Sequence, residues 1–280
     1  MQQTAKPSVA ILGCGWLGLP LLKTLVAEGY TVAGSSRSAD TLRAIGQAGG
    51  QAYQIDLPHT LPPAFLAAAD VLIITLPPRG RALGPEATAN YLAQLSAVIE
   101  ALPPGKDIAV IYTSSTGVYG AAQGIITETQ PLTPNTHSSR AVAAAEDYLS
   151  TNNSNVTILR LAGLVAADRH PGRFFGGRDR PIPNADAPVN LVHRKDVIAA
   201  IILLLNDRVL LGDTYNVCAA SHPAKGVYYE AAAQALGLAI GGKTVGGENG
   251  KIISSEKLRA NGWRPNWDDL SLAALKKSFS

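Results

Sequence analysis

The chain has 280 residues, of which 46% are hydrophobic and 16% are charged, so it suits one large globular domain or one domain with a smaller appendage. Its formal net charge of +3 is too small to predict a nucleic-acid-binding protein. Two cysteines exclude a disulfide framework and a cysteine-rich metal site, and the sequence has no signal-peptide or membrane-spanning apolar segment, so we expect a cytoplasmic protein with neither metal nor membrane contact.

Short apolar segments alternate with helical patterns through the first two thirds of the chain. Apolar segments without polar alternation predict strands buried on both faces of a parallel sheet. The predicted strands are Val9–Leu12, Thr31–Gly34, Ala52–Ile55, Val71–Thr75, Ile108–Tyr112 and Val156–Leu161. The predicted helices between them are Leu17–Glu28, Thr41–Ala48, Ala87–Leu102 and Ser139–Ser150. Right-handed crossovers make this alternation a doubly wound α/β fold of the Rossmann type.

The pattern changes after Leu161. Residues 170–188 are rich in Gly, Pro and Arg and predict a long loop. The later predicted elements are a strand, Thr214–Val217, and the helices Asp196–Leu205, Ala224–Leu236 and Ser255–Asn261. We therefore predict a dinucleotide-binding domain over residues 1–166 and a small, mainly substrate-binding cap over 167–280, with 188–218 packing back on the sheet.

A glycine-rich turn, residues 13–18 (G-C-G-W-L-G), lies between the first predicted strand and the first predicted helix, the context in which G-x-G-x-x-G is informative. Gly13 would allow the tight turn, Gly15 would let a pyrophosphate approach the main chain, and Gly18 would let the helix pack close to the strand. The helix N-terminus offers N–H groups and partial positive charge to phosphate. The turn therefore predicts an NAD(P)-class cofactor held by Gly13, Gly15, Trp16, Leu17 and Gly18; the alternative is a turn without a ligand.

The end of the second strand predicts which dinucleotide is bound. Residues 34–37 read G-S-S-R and offer no carboxylate for a ribose 2′-hydroxyl. The hydroxyls of Ser35 and Ser36 and the guanidinium of Arg37 suit a 2′-phosphate, which favours NADP and leaves NAD as the alternative. Arg37 could also be a plain solvated residue. Asp56, after the third strand, either accepts a hydrogen bond from the adenine amino group or forms a turn before Pro58.

Seven segments in order resemble one family. They are Y-T-S-S-T-G-V-Y-G at 112–120, Q-P-L-T-P at 130–134, A-E at 145–146, L-R-L-A-G at 159–163, P-V-N-L-V-H-R-K-D-V at 188–197, T-Y-N-V at 214–217 and G-W-R-P at 262–265. Together they resemble the extended short-chain dehydrogenases/reductases, the NAD(P)-dependent epimerase/dehydratase group that acts on nucleotide sugars. The resemblance implies an oxidoreductase or epimerase, with Thr113 and Ser114 at the cofactor and Ser115 at the substrate. Leu76 and Pro77 stand where the family carries a small-residue turn against the cofactor.

The chain departs from this family at two places. Its glycine turn is G-x-G-x-x-G where the family has G-x-x-G-x-x-G. The family's catalytic Tyr-x-x-x-Lys pair falls on Ser138 and Val142, counted from both flanking motifs. A serine hydroxyl exchanges protons poorly near neutral pH, whereas an imidazole does so readily, so we predict His137 as the substitute and Tyr119 as the second candidate. Otherwise His137 is an exposed residue at a helix start, and Tyr119 packs beside the substrate.

Three residues are the candidates for substrate binding. The resemblance places Arg173 and Arg178 where family members contact the diphosphate of a nucleotide sugar, and it places Asn190 in the substrate cleft. Guanidinium groups suit phosphate, although a solubilising loop would carry the same residues. We expect a small-molecule partner and a monomer or homodimer. Two main functions stay open, an enzyme with a rebuilt acid/base and an NADP-binding sensor or regulator without turnover; a structural or partner-binding role is a third.

Overall fold

A computed structural model describes residues 6–59 and 61–270 of the chain. Its strands are β1 (Val9–Leu12), β2 (Val32–Ser36), β3 (Gln51–Gln54), β4 (Val71–Ile74), β5 (Ala109–Ser115), β6 (Gly124–Ile126), β7 (Val156–Leu161), β8 (Gly163–Val165), β9 (Leu191–His193), β10 (Thr214–Val217) and β11 (Lys251–Ile253). Its α-helices are α1 (Gly18–Ala27), α2 (Ala39–Gln47), α3 (Pro63–Ala67), α4 (Gly80–Leu83), α5 (Ala87–Glu100), α6 (His137–Asn152), α7 (Arg194–Asn206), α8 (Lys225–Gln234) and α9 (Glu256–Ala260).

Seven of these strands form one sheet in the order β10-β7-β5-β4-β1-β2-β3. The pairs β1–β2, β1–β4, β2–β3 and β4–β5 are parallel. The order along the chain reverses between β1 and β4, so the carboxyl ends of these two strands form the topological switch point at which doubly wound folds bind ligands. The predicted Rossmann-type α/β fold is confirmed.

The burial of the strands agrees with their positions in the sheet. All four residues of β1 and of β4 are buried, as expected for central strands without polar alternation. In contrast, β3 is mostly exposed at one edge of the sheet. Helix α5 buries Tyr91, Leu95 and Val98, which recur at one-turn spacing and give the helix one apolar face.

The chain divides into two compact units. The first contains the described residues up to Val118 together with Pro134–Leu159 and Ile202–Thr214. The second contains Tyr119–Thr133, Arg160–Ile201 and the described residues from Tyr215 onward. Within the second unit, β6 pairs in parallel with β11 and β8 with β9, and its core includes Phe175, Tyr228 and Trp267. The predicted division near residue 166 stays a prediction, and its outer ends at 1–5 and 271–280 lie outside the described residues.

Several elements differ from the sequence prediction. Strand β5 runs three residues further, so that Thr113, Ser114 and Ser115 belong to the strand. Helix α6 begins at His137 because the Thr136 side chain caps it, in a reciprocal capping box with Ser139. The short elements that were not predicted from the sequence are α3, α4, β6, β8, β9 and β11. Within the described residues, no helix is long and apolar enough to cross a membrane.

Candidate functional site

The glycine turn, residues 13–18, joins β1 to α1 at the switch point. Gly13 has a φ of 99°, a conformation that side chains disfavour. A Cβ at Gly18 would lie 2.4 Å from the Gly13 carbonyl oxygen, so the helix packs too closely for any side chain there. A Cβ at Gly15, in contrast, would meet no atom within 4 Å. The fold thus requires glycine at positions 13 and 18. Gly15 is not required by the fold, and the space next to it is open.

Ser35 and Thr75 hydrogen-bond to the main chain of Gly13 and so stabilise the glycine turn. The Ser35 Oγ accepts a hydrogen bond from the Gly13 N–H at 3.0 Å, and Ser35 is only 2% exposed. The Thr75 Oγ1 donates to the Gly13 carbonyl at 2.5 Å. This geometry does not support Ser35 as a ligand of a 2′-phosphate, because its hydroxyl is buried under the turn. We therefore reassign Ser35 to holding the turn in shape.

Ser36, Arg37 and Asp56 lie at the ends of β2 and β3. The Ser36 hydroxyl accepts a hydrogen bond from the Ser38 N–H at 3.1 Å. The Arg37 Nη1 lies 3.6 Å from an Asp56 carboxylate oxygen, and both side chains are more than 60% exposed. An exposed pair of this kind is weak, so the guanidinium is accessible to an anionic ligand. Asp56 was predicted either to contact the adenine or to form a turn before Pro58. Its carboxylate pairs with Arg37, and its carbonyl accepts a hydrogen bond from the His59 N–H at 3.2 Å.

Leu76 packs beside the glycine turn at the end of β4. Its Cδ2 would be 3.1 Å from a Cβ at Gly13, and its carbonyl accepts a hydrogen bond from the Tyr91 hydroxyl at 2.7 Å. Pro77 follows and is exposed. On the other side of the turn Leu17 is buried, whereas Trp16 is half-buried. The structure therefore places Leu76 beside the glycine turn.

The polar residues at the end of β5 differ in their surroundings. The Thr113 Oγ1 donates to the Ile74 carbonyl at 3.0 Å and so links β5 to β4. The Ser114 hydroxyl donates to the carboxylate of Glu146, and both residues are buried. The Ser115 Oγ accepts from the Gly117 N–H at 3.1 Å, while the residue stays half-buried. Ser115 is thus the more accessible of the two serines for a substrate, and Ser114 links the strand to α6.

Ser138 and Val142, the positions predicted to correspond to the family's catalytic pair, lie in the first two turns of α6. A Cβ on Gly80 would lie 2.4 Å from both the main-chain nitrogen and the Oγ of Ser138, so the α4 turn lies directly against residue 138. Val142 is 5% exposed and forms part of the core. His137, the first residue of α6, is exposed. Of the three, only His137 presents a proton-exchanging group to solvent.

Tyr119 lies in the second unit and is fully buried. Its hydroxyl donates to Asn216 Oδ1 at 2.7 Å and accepts from Arg160 Nη1 at 2.9 Å. Burial raises the pKa of the phenol, although Arg160 and Asn216 partly oppose the shift. A phenol that is engaged on both sides and shielded from solvent is poorly suited to proton transfer, and we drop Tyr119 from the catalytic candidates.

The predicted substrate residues of the second unit have different environments. Arg173 and Arg178 are exposed, and the Arg178 Nε donates to the Arg173 carbonyl at 3.3 Å, so these residues stabilise their own loop. Asn190 lines a cavity of about 640 Å³. Its Nδ2 donates to the Lys251 carbonyl at 2.8 Å and its Oδ1 accepts from the Ile253 N–H at 2.8 Å. Asn190 therefore joins two walls of that cavity.

Three supporting residues, Thr75, Gly80 and Tyr91, were not predicted from the sequence. Each acts on a residue distant in sequence: Thr75 on Gly13, Gly80 on Ser138 and Tyr91 on Leu76. A polar residue at the end of β4 was a usable signal for Thr75, because ligands of this fold gather at the carboxyl ends of strands. No local sequence pattern predicted the contacts of Gly80 and Tyr91.

Comparison with known proteins identifies the family. A family model described as NAD(P)H-binding matches residues 13–208. Protein YeeZ of Escherichia coli (strain K12) is 42% identical over 236 residues, which cover 82% of this chain and 84% of that protein.

Solved structures share the fold over almost the whole chain. UDP-glucuronic acid 4-epimerase from Bacillus cereus, in complex with NAD, has a TM-score of 0.77 at 16% identity, covering 98% of this chain and 100% of its own. UDP-glucose 4-epimerase from Thermus thermophilus, also with NAD, has a TM-score of 0.72 at 21% identity, covering 96% and 99%. The chain therefore belongs to the NAD(P)H-binding family and shares its fold with these two epimerases.

Proposed function

We propose that this chain binds NADP at the glycine turn and acts as an oxidoreductase or epimerase on a nucleotide sugar or a similar hydroxyl compound. The observation that carries the proposal is the space above Gly15. Neither φ nor a neighbouring atom requires glycine there, whereas an approaching pyrophosphate would. The α1 N-terminus adds amide N–H groups and partial positive charge on the same side of the turn.

The rest of the cofactor site follows the strand ends of the first unit. Arg37 and Ser36 would hold the 2′-phosphate, and Leu76, beside Gly13, would line the dinucleotide together with Pro77, Trp16 and Leu17. Thr113 and Ser114 shape the adjoining end of β5 through their bonds to Ile74 and Glu146. NAD is the alternative cofactor, since the similar epimerase structures were solved with NAD.

The chemistry divides between cofactor and protein. A bound nicotinamide supplies the hydride acceptor or donor. Ser115 would hold the substrate hydroxyl through its half-buried Oγ, and His137 would exchange the proton from the exposed first turn of α6. The nucleotide-sugar substrate is supported by the family resemblance and by the enzymes with which this chain shares its fold.

A second function is favoured by the surroundings of residues 138 and 142. The main chain of Gly80 lies against Ser138, and Val142 is buried, so neither position has the space or polarity of a Tyr-Lys pair. On this alternative the chain binds NADP without turnover and acts as a sensor or regulator. The two functions share the cofactor site and differ only in chemistry.

Cofactor fluorescence in the presence of UDP- and dTDP-sugars separates these functions. The enzyme proposal predicts a sugar-dependent oxidation or reduction of the bound cofactor, or an epimerised product detected by chromatography when no net redox change occurs. Cofactor binding with neither outcome across the panel would favour the sensor. Failure of both NADPH and NADH to bind would overturn both functions.

A further inference from the structure

The second unit contains a cavity that the sequence analysis did not predict. Its volume, about 640 Å³, lies within the range of small-molecule sites. Segments 120–123, 187–190 and 247–251 form its walls together with Lys225 and Tyr229. All of these residues belong to the second unit, so the cavity is a feature of that unit alone.

Two lysines from different walls line this cavity, Lys225 and Lys251. The Lys225 Nζ donates to the Pro183 carbonyl at 2.8 Å and lies 5.8 Å from the centre of the Phe175 ring. The Lys251 Nζ donates to the Gly120 carbonyl at 3.0 Å. Both lysines are half-buried. The two side chains are thus anchored at the cavity by main-chain oxygens.

The walls that carry these lysines are fixed by close packing. The Asn190 amide bridges to the main chain of Lys251 and Ile253, as described above. A Cβ on Gly250 would lie only 2.8 Å from the Cδ of Pro188, so the 247–251 segment approaches the 187–190 segment more closely than a side chain at residue 250 would allow. The Lys225 N–H donates to the Ala187 carbonyl at 2.9 Å. A site that is held in this way is largely pre-formed, as ligand sites usually are.

The charge at the cavity favours an anion. Burial lowers the pKa of both lysines, and the nearby Arg180 lowers that of Lys225 further. An anion near the ammonium groups would favour their charged forms and offset the repulsion from Arg180. Glu248 is the one acidic side chain among the described lining residues, and it is exposed. Lysine binds phosphate as a compact point charge with three donors.

We propose that Lys225 and Lys251 bind the diphosphate of the substrate in this cavity. The proposal rests on the nucleotide-sugar substrate inferred above, and it assigns phosphate recognition to these two lysines in place of Arg173 and Arg178. Neither arginine lines the cavity, and the Arg178 guanidinium donates to the Arg173 carbonyl of its own loop.

Isothermal titration with UDP, inorganic pyrophosphate and uridine tests this assignment. The wild type should bind UDP and pyrophosphate and bind uridine much more weakly. Lys225→Met and Lys251→Met should each lower the affinity for UDP by about 10- to 100-fold, the loss expected for one charge-assisted contact. Lys243→Met is the matched control, because Lys243 is exposed, pairs with Glu230 at 2.8 Å and does not line the cavity.

Two further measurements keep the outcome unambiguous. In the wild type, UDP should protect Lys225 and Lys251 but not Lys243 from acylation, as read by mass spectrometry, which needs no variant to fold. NADPH titration of the same samples should be unaffected by the lysine substitutions. Unchanged UDP affinity in both lysine variants, equal binding of uridine and UDP, or no binding of UDP and pyrophosphate would overturn the assignment. A wild-type protein that binds UDP but does not bind NADPH would instead count against the proposed cofactor function.

Discussion

Replacing Arg37 with alanine should remove most of the preference for NADPH over NADH. The guanidinium lies 3.6 Å from the Asp56 carboxylate, and the two side chains are 65% and 62% exposed. An exposed pair of this kind contributes about 0.2–1 kcal/mol. Little free energy therefore holds Arg37 back from a 2′-phosphate.

The size of the effect follows from these contacts. A hydrogen bond between a guanidinium and a phosphate contributes about 1.5–3 kcal/mol. After the cost of releasing Asp56, we expect a net loss of about 0.5–2.8 kcal/mol for NADPH, which is roughly 2- to 100-fold in Kd. NADH has no 2′-phosphate, so its affinity should barely change.

Fluorescence titration of both nucleotides against the wild type, Arg37→Ala and Asp56→Asn measures this difference. Asp56→Asn should tighten NADPH binding slightly, because it removes the carboxylate that competes for Arg37. Equal affinities of the wild type for NADPH and NADH would refute the reasoning, as would an Arg37→Ala variant that keeps the NADPH preference.

Three further predictions concern catalysis, packing and pH. Given a substrate, His137→Gln should lower kcat by about 10²–10⁴-fold with cofactor affinity unchanged; a variant with full activity would exclude His137 as the proton carrier. Gly80→Ala should lower the free energy of unfolding by about 1–3 kcal/mol, because its Cβ would lie 2.4 Å from Ser138; a thermal melt identical to that of the wild type would contradict this contact. His170 is buried, its Nδ1 accepts from the Gly172 N–H, and burial lowers its pKa below the ordinary 6.5. Below about pH 6.5 the unfolded chain therefore binds more protons than the folded protein, so the free energy of unfolding should decrease until the pH passes the folded-state pKa of His170. His170→Asn keeps a capping acceptor, and its free energy of unfolding should decrease less in denaturant titrations from pH 7.5 to 5. An identical pH dependence would count against this role of His170.

The central strands of the α/β fold and the glycine turn could be predicted because their signals are local. The apolar segments of β1 and β4 have no polar alternation, and burial on both faces is the physical reason. The spacing of Gly13, Gly15 and Gly18 between a strand and a helix likewise reflects contacts within one turn of chain. Such signals survive in a single sequence without knowledge of distant neighbours.

Other features depend on residues that the fold brings together from far apart. Ser35 and Ser36 are adjacent and chemically identical, yet only Ser35 lies under Gly13, which depends on the β1–β2 register. The burial of Tyr119 depends on Arg160 and Asn216, which come from β7 and β10. Lys225 and Lys251 share a cavity although no sequence period connects them. Composition and motif spacing carry no information about such pairings.

The most direct test of the account is NADPH binding by Gly15→Val, with Gly46→Val as the matched control. A Cβ at either glycine would meet no atom within 4 Å, so both variants should fold, as checked by circular dichroism and thermal melting. In Gly15→Val, the new side chain would occupy the space through which a pyrophosphate approaches the main chain. Losing two hydrogen bonds between the pyrophosphate and main-chain N–H groups predicts a Kd for NADPH about 100-fold or more above that of the wild type. Gly46→Val should bind NADPH as the wild type does. A folded Gly15→Val protein with wild-type affinity for NADPH would contradict the claim that the glycine turn is the dinucleotide site.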